Sequence, residues 1–168
     1  EESQWIPTVP GFMKEEEGEA RGAYRGTAYH RVLELLDFSK ISSEKETKEA
    51  IDGLVADKRL TESNRKLVHH SVIWRFLDSP FGRRMQKAAK DGRLHKEQQF
   101  VMGIPAEEMG LGDSKELILI QGIMDAYIEE EKELILVDYK TDYIEKGEEQ
   151  LLVERYGLQL EYYKKALE

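Results

Sequence analysis

Apolar residues recur at helical spacing from about Ala23 to Asp37, where Val32, Leu33 and Leu36 share one stripe. A weaker helical pattern covers residues 44–57. A third covers 61–78, with Thr61 as N-cap and Leu67, Ile73, Trp74 and Leu77 among its apolar positions. Ser79 and Pro80 open a fourth, and Gly92 stands past its end. The period then changes. Residues 94–104 read as a strand, and 105–114, with Pro105, Gly110, Gly112 and Asp113, as a loop. Two further strands, near 116–128 and 133–140, are apolar on both faces, the mark of strands covered on both sides. Residues 146–168 return to helix. Ahead of these, residues 1–12 carry Pro7, Pro10 and Gly11 and read as extended, and Lys14 to Arg21 form a charged lead-in.

Helices, three strands and a helix predict an α/β or α+β domain with a small central sheet. No repeat, low-complexity segment or linker divides the 168 residues, a length that suits one core. Residues 1–168 therefore read as a single domain: an extended lead-in over 1–22, a mainly helical part over 23–92, and the sheet with the last helix over 93–168. The chain opens at Glu1 and closes at Glu168 inside a helical pattern, so we expect a piece of a longer polypeptide.

Composition narrows the function. Forty per cent of residues are hydrophobic and 35% charged, with no apolar run of membrane-spanning length and no secretory signal, so no membrane partner is expected. The absence of cysteine excludes disulfides, thiolate zinc and cysteine-held iron–sulfur clusters, and fits a reducing compartment. A net charge of −9 argues against a simple electrostatic DNA-binding module. It is compatible with carboxylates that gather divalent cations, which in turn meet phosphates. Arg83, Arg84, Lys87, Lys90, Arg93 and Lys96 supply local positive charge, and a solvated helix face explains them equally well.

The chemistry concentrates in Gly122-Ile-Met-Asp125 and Leu134-Ile-Leu-Val-Asp138-Tyr-Lys140-Thr-Asp142. Within a strand Asp138 and Lys140 share a face, and Tyr139 points away. A carboxylate and an ammonium at the end of an apolar strand are costly, though solvated strand ends also carry charges. A hairpin turning on Glu131 and Lys132 would set Asp125 opposite Asp138, with Cβ atoms roughly 4.5–5.5 Å apart. Two carboxylates that close repel unless a cation lies between them, and oxygen ligands suit Mg²⁺ or Mn²⁺. A turn shifted by one residue would leave two unrelated aspartates. Such a site suits phosphodiester hydrolysis: metals supply the nucleophile and charge compensation, and Lys140 orients water or stabilises developing negative charge. His30, in Arg25-Gly-Thr-Ala-Tyr-His30, and the i,i+4 pair Gln159 and Tyr163 say little alone.

Taken in order, Gly-Thr-x-x-His, Gly-x-x-Asp, Val-Asp-Tyr-Lys-Thr and Gln-x-x-x-Tyr resemble the RecB-type branch of the PD-(D/E)xK nucleases. Arg25–Leu36 and Leu152–Tyr163 resemble the AddA-type nuclease domains within that branch, and the likeness spans about residues 20–168. It implies a restriction-endonuclease-like core: a small central mixed sheet flanked by helices, with an N-terminal helical region. It also implies His30, Asp125, Asp138 and the Tyr139 backbone carbonyl as metal ligands, Lys140 as the catalytic lysine, and Gln159 and Tyr163 as DNA-positioning or supporting groups. Glu97 matches the acidic residue of the first core strand, although Lys96-Glu-Gln-Gln-Phe100 stands where the family often has Arg-Glu-x-Pro-Phe. The strand that follows the last helix in the family is not expected here. The implied cofactor is Mg²⁺, with Mn²⁺ as substitute. The implied partners are DNA, upstream helicase domains of the same polypeptide and an AddB-type subunit. No GxxxxGK[ST] segment occurs, so no ATP site is expected in this chain. The readings that compete are an active exonuclease domain in double-strand-break processing and an idle DNA-guiding scaffold. The intact set His30, Asp125, Asp138 and Lys140 favours the first.

Overall fold

The computed structural model describes residues 11–110, 115–141, 147 and 149–167, with side chains from residue 22 onward except those of 109, 152 and 155. The expected extended segment over residues 1–10, the loop positions Gly112 and Asp113, and Asp142 lie outside the described residues.

Helix α1 runs Gly11–Leu35, so it starts about twelve residues before the apolar stripe does. The expected extended lead-in is thus helical from Gly11. Its Lys, Glu, Ala and Arg residues are strong helix formers that carry no apolar period. Helix α2 (Glu44–Ala56) is opened by Ser43, whose side chain accepts the Glu46 N–H. The single helix expected over 61–78 is two: α3 (Glu62–Leu67), capped by Thr61, and α4 (His70–Asp78). Between them Val68 turns extended and buries its side chain, the Arg65 guanidinium donates to its carbonyl, and the Tyr29 hydroxyl accepts the His69 N–H at 3.1 Å. That exchange also leaves Leu67, one of the apolar positions of the expected helix, exposed. Helix α5 (Pro80–Lys90) begins as expected, with Ser79 accepting the Gly82 N–H and proline in the first turn.

Strands β1 (Leu94–Pro105), β2 (Leu117–Glu129) and β3 (Leu134–Val137) follow, and α6 (Glu149–Leu167) closes the described fold. The sheet order is β1-β2-β3. The sheet expected as mixed is antiparallel throughout among the described residues, because each strand passes directly to its neighbour with no crossover helix. β3 pairs Val137 with Ala126 and Leu134 with Glu129, and Glu130 N–H donates to the Glu133 carbonyl across the turn.

The core lies between the helices and the near half of the sheet. Val32 and Leu33 of α1 and Leu36 just past its end pack with Phe38, Ile51, Ile73, Leu77 and Met85, and with Ala126, Ile128 and Val137 of the sheet. Lys96 ties β1 to the end of α1: its Nζ donates to the Leu33 and Leu36 carbonyls and sits 3.6 Å from the Phe38 ring centroid. Burial pushes its pKa down to about 8, against the pull of Asp37 and Glu34. The far half of the sheet is different. Leu117 and Leu119 on β2 are 66% and 74% exposed, and Val101 and Ile123 are exposed as well, so the cover expected on both faces is incomplete. No described helix is long and apolar enough to cross a membrane.

Candidate functional site

α1 carries His30 to the sheet. A Cβ at Gly26 would lie 2.9 Å from Thr141 Oγ1, so a glycine lets the helix run this close to the segment after β3 without displacing Thr141. One turn on, His30 Nδ1 stands 3.1 Å from Asp125 Oδ1. The pKa of the imidazole is raised, first by its hydrogen bond with Asp125, while burial opposes. The Tyr139 backbone adds a smaller contribution in the same direction.

Asp125 belongs to β2, and its second oxygen accepts the Tyr139 N–H at 2.6 Å. This contact explains why β3 is shorter than expected: the ladder ends at Val137 because the Tyr139 amide turns to a side chain instead of a β2 carbonyl. The β2–β3 register, continued one step past Ala126 and Val137, sets Asp125 opposite Asp138, as the hairpin reading requires. On the other side, Glu97 stands between the pairs Lys96 with Ala126 and Gln98 with Met124, where the register would oppose it to Asp125. Its φ is +50°, a left-handed value rare for a non-glycine residue and costly in a strand. The Glu97 carboxyl pKa is raised by burial, then by the charges of Glu34 and Asp125, with His30 and Arg31 opposing.

Asp138 and Lys140 share a face and pair, with Nζ 2.7 Å from Oδ2 and side chains 8% and 22% exposed. The same ammonium donates to Gln159 Oε1 at 3.3 Å and lies 4.1 Å from the Tyr156 ring centroid. Gln159 then donates its amide N–H to the Tyr163 hydroxyl. Tyr163 is buried against Phe100, with ring centroids 5.4 Å apart, and Phe100 lies over Gly122, where a Cβ would meet its ring at 2.8 Å. The glycine of Gly-x-x-Asp therefore makes room for the aromatic pair that seats α6. Tyr139 packs inward, edge-on to His30 and Phe76, and its hydroxyl is buried without a hydrogen-bond partner among the described residues. Burial raises the pKa of that hydroxyl.

These groups form two adjoining parts. One holds His30, Asp125 and the Tyr139 backbone, with Glu97 in electrostatic reach; the other holds Asp138, Lys140, Gln159 and Tyr163. Among the described residues no three His, Asp or Glu side chains are grouped so as to hold a metal ion. The carboxylates turn to protein partners instead, Asp125 to His30 and Tyr139, and Asp138 to Lys140. In chemistry the donor set fits a hard divalent ion: carboxylate oxygens with one imidazole, and a Glu97 carboxyl whose pKa is raised by burial and then by the neighbouring acids Glu34 and Asp125. The basic residues of α5 do not join the site. Arg83 and Arg84 on α5 and Arg93 beyond it pair with Asp78, Glu130 and Asp91, which supports the solvated-face reading for these three, whereas Lys96 is half-buried against the end of α1.

Sequence reasoning gave no role to Gly26, Tyr156 or Glu34. Tyr156 carries a readable signal, since 156, 159 and 163 follow one helical stripe. Gly26 stands in Gly-Thr-x-x-His, but its close approach to Thr141, like the reach of Glu34, is tertiary and has no local signal.

A profile of the PD-(D/E)XK nuclease superfamily matches residues 8–168. The chain is 36% identical over 204 aligned residues to an ATP-dependent helicase/nuclease subunit of Lachnoclostridium phytofermentans, a match covering 99% of the chain and 15% of that protein. It is 41% identical over 168 residues to the protein of the same name from Alkaliphilus oremlandii, covering 97% of the chain and 14% of the relative. For Clostridium perfringens the identity is 35% over 168 residues, with coverages of 96% and 13%. The chain thus spans about one seventh of the length of these curated relatives.

Proposed function

The chain belongs to the PD-(D/E)XK nuclease superfamily, and on that footing we propose that it is a divalent-metal-dependent DNA exonuclease domain that hydrolyses phosphodiester bonds. The observation that carries the proposal is the juxtaposition of two parts: the Asp138–Lys140–Gln159 chain, and Asp125 held between His30 and the Tyr139 amide. Nucleases of this superfamily generally use divalent metal ions. Asp125, Asp138, His30 and the Tyr139 carbonyl would hold the ion, with Glu97 beside them, and Mg²⁺ is the cofactor we assign, Mn²⁺ substituting. Such an ion, when bound, supplies charge compensation and a hydroxide-like nucleophile at neutral pH.

The side chains have separable tasks. Lys140 presents its ammonium to the attacking water or to the phosphoryl oxygen that gains charge. Gln159 holds that ammonium by its amide oxygen, and Tyr163 fixes the amide in turn, so both are positioning residues. Tyr156 packs beneath the ammonium and limits where it can swing. His30 steadies Asp125 from the helical side. The relatives' printed name and the chain's small share of their length support a wider setting. In it, this domain follows helicase domains of one bacterial, cytoplasmic polypeptide and works on DNA with an AddB-type subunit during double-strand-break processing.

The test is calorimetric titration of Mn²⁺ into the wild-type chain and Asp138→Ala, followed by a Mg²⁺-dependent assay on linear DNA. Binding lost in the variant and metal-dependent cleavage by the wild type are expected. Specific binding without cleavage would move the activity to the longer polypeptide. Absence of specific binding would sink the assignment and leave an idle DNA-guiding domain.

A further inference from the structure

Among the described residues two non-glycines have positive φ, Lys58 at +59° and Glu97 at +50°. Lys58 follows the end of α2, where a left-handed residue is an ordinary way to stop a helix. Glu97 stands inside β1, where the same backbone ends no helix and makes no turn. A strained residue persists only where its surroundings hold it.

A regular strand turns successive side chains to opposite sides. Lys96 takes the side of α1: its Nζ donates to the Leu33 carbonyl at 2.9 Å and the Leu36 carbonyl at 2.5 Å, over the Phe38 ring. Alternation would then turn Glu97 away from that helix. Instead its half-buried carboxyl lies within electrostatic reach of His30, Arg31 and Glu34 on α1 and of Asp125 on β2. Two successive residues of one strand thus serve the same side, and the reversed φ is what this requires. The ladder fits the same account. Lys96 pairs with Ala126 and Gln98 with Met124 in one unbroken register, so no residue is inserted, and the Glu97 position between them is left out of the pairing. The distortion is confined to one residue, and the residue before it is the tie to α1.

We propose that Lys96 is a positioning residue: its grip on the end of α1 holds Glu97 in the left-handed backbone and so keeps that carboxyl turned toward His30 and Asp125. The inference rests on the nuclease reading for the chemistry that Glu97 serves, and on the backbone and the two hydrogen bonds for the clamp.

The first readout is thermal denaturation in EDTA, comparing Glu97→Gly with Glu97→Ala. Both lose the carboxyl, so their difference reports the backbone: glycine accepts positive φ and alanine does not. With Lys96 in place, Glu97→Gly should melt about 2–4 °C above Glu97→Ala. Combined with Lys96→Met, which keeps a long stem and removes the ammonium, the order should reverse, because a relaxed strand disfavours glycine. Lys96→Gln, a shorter side chain, should reverse it as well, whereas Lys96→Arg should keep the original order. A lysine that only stabilised the fold would lower every melting temperature and leave the order alone. The second readout is Mg²⁺-dependent cleavage of linear DNA well below the melting range. Lys96→Met should lower kcat about tenfold with KM unchanged, and Lys96→Arg should stay near the wild type. The same melting order with and without the ammonium, or an undiminished kcat in Lys96→Met, would each overturn the proposal. The melting order needs neither metal nor DNA, so a reversal in a chain that never cleaves would refute the exonuclease assignment and not the clamp.

Discussion

Replacing Gly26 by alanine tests how closely α1 must approach the reacting segment. The new Cβ would lie 2.9 Å from Thr141 Oγ1, and ordinary contact begins at 3.4 Å, so Thr141 must give way by about 0.5 Å. The obstacle is a side-chain atom, and alanine gains about 1 kcal/mol of helix propensity over glycine. Thermal stability of Gly26→Ala should therefore stay within about 1 kcal/mol of the wild type. The cost falls on chemistry, since Thr141 adjoins Lys140. If a misplacement of about 1 Å costs about a hundredfold, half that costs about tenfold in kcat/KM. Gly22→Ala is the control: it is exposed, nothing lies within 4 Å of its Cβ, and it should gain up to about 1 kcal/mol with cleavage unchanged. Removing the obstructing oxygen in Gly26→Ala/Thr141→Ala should recover most of the lost rate, a coupling of about 1.4 kcal/mol. The assays are thermal denaturation and initial rates of nucleotide release from linear DNA. Wild-type rates in Gly26→Ala, no recovery in the double variant, or outright unfolding of the single one would refute the argument.

Two other substitutions separate charge from backbone. The Glu97 carboxyl pKa is raised in the folded state by burial, Glu34 and Asp125, so the native state loses stability as pH rises above the ordinary carboxylate range. Glu97→Gln should melt higher than the wild type at about pH 7 without added metal and lose that advantage near about pH 4; equal melting at both would remove the acid crowding we infer. Tyr139→Phe deletes a buried hydroxyl that has no partner among the described residues, so stability should be unchanged or improved by up to about 1 kcal/mol. Cleavage should also persist, because the amide and carbonyl of Tyr139, and not its ring hydroxyl, are assigned to the site.

The hairpin was the most legible part of the site. Two apolar strands with one short polar turn permit few registers, and the one centred on Glu131 and Lys132 is the register that β2 and β3 adopt. The partnership of Lys140 with α6 was half legible, since helical spacing joins Gln159 to Tyr163 but cannot say which strand they meet. Helix α1 was misjudged at its start because residues 11–22 hold many helix-forming residues but carry no apolar period. The break at Val68 was hidden because an apolar residue at a helical period reads as continuation, and only the tertiary bonds of Arg65 and Tyr29 turn the backbone away. The left-handed backbone of Glu97 had no local signal either. A glutamate in a polar strand gives no reason for positive φ until the neighbouring strand and α1 are in place.

The bare far half of the sheet has a consequence at the scale of the solution. Leu117, Leu119, Val101 and Ile123 present one sticky patch to water, and a net charge of −9 keeps like molecules apart. These two forces respond oppositely to electrolyte. At about 0.15 M salt the charge repulsion is screened beyond roughly 8 Å, while apolar attraction is undiminished. Any association of the domain through this patch is therefore expected to rise with ionic strength as well as with concentration, so rates are best compared in dilute, low-salt solution.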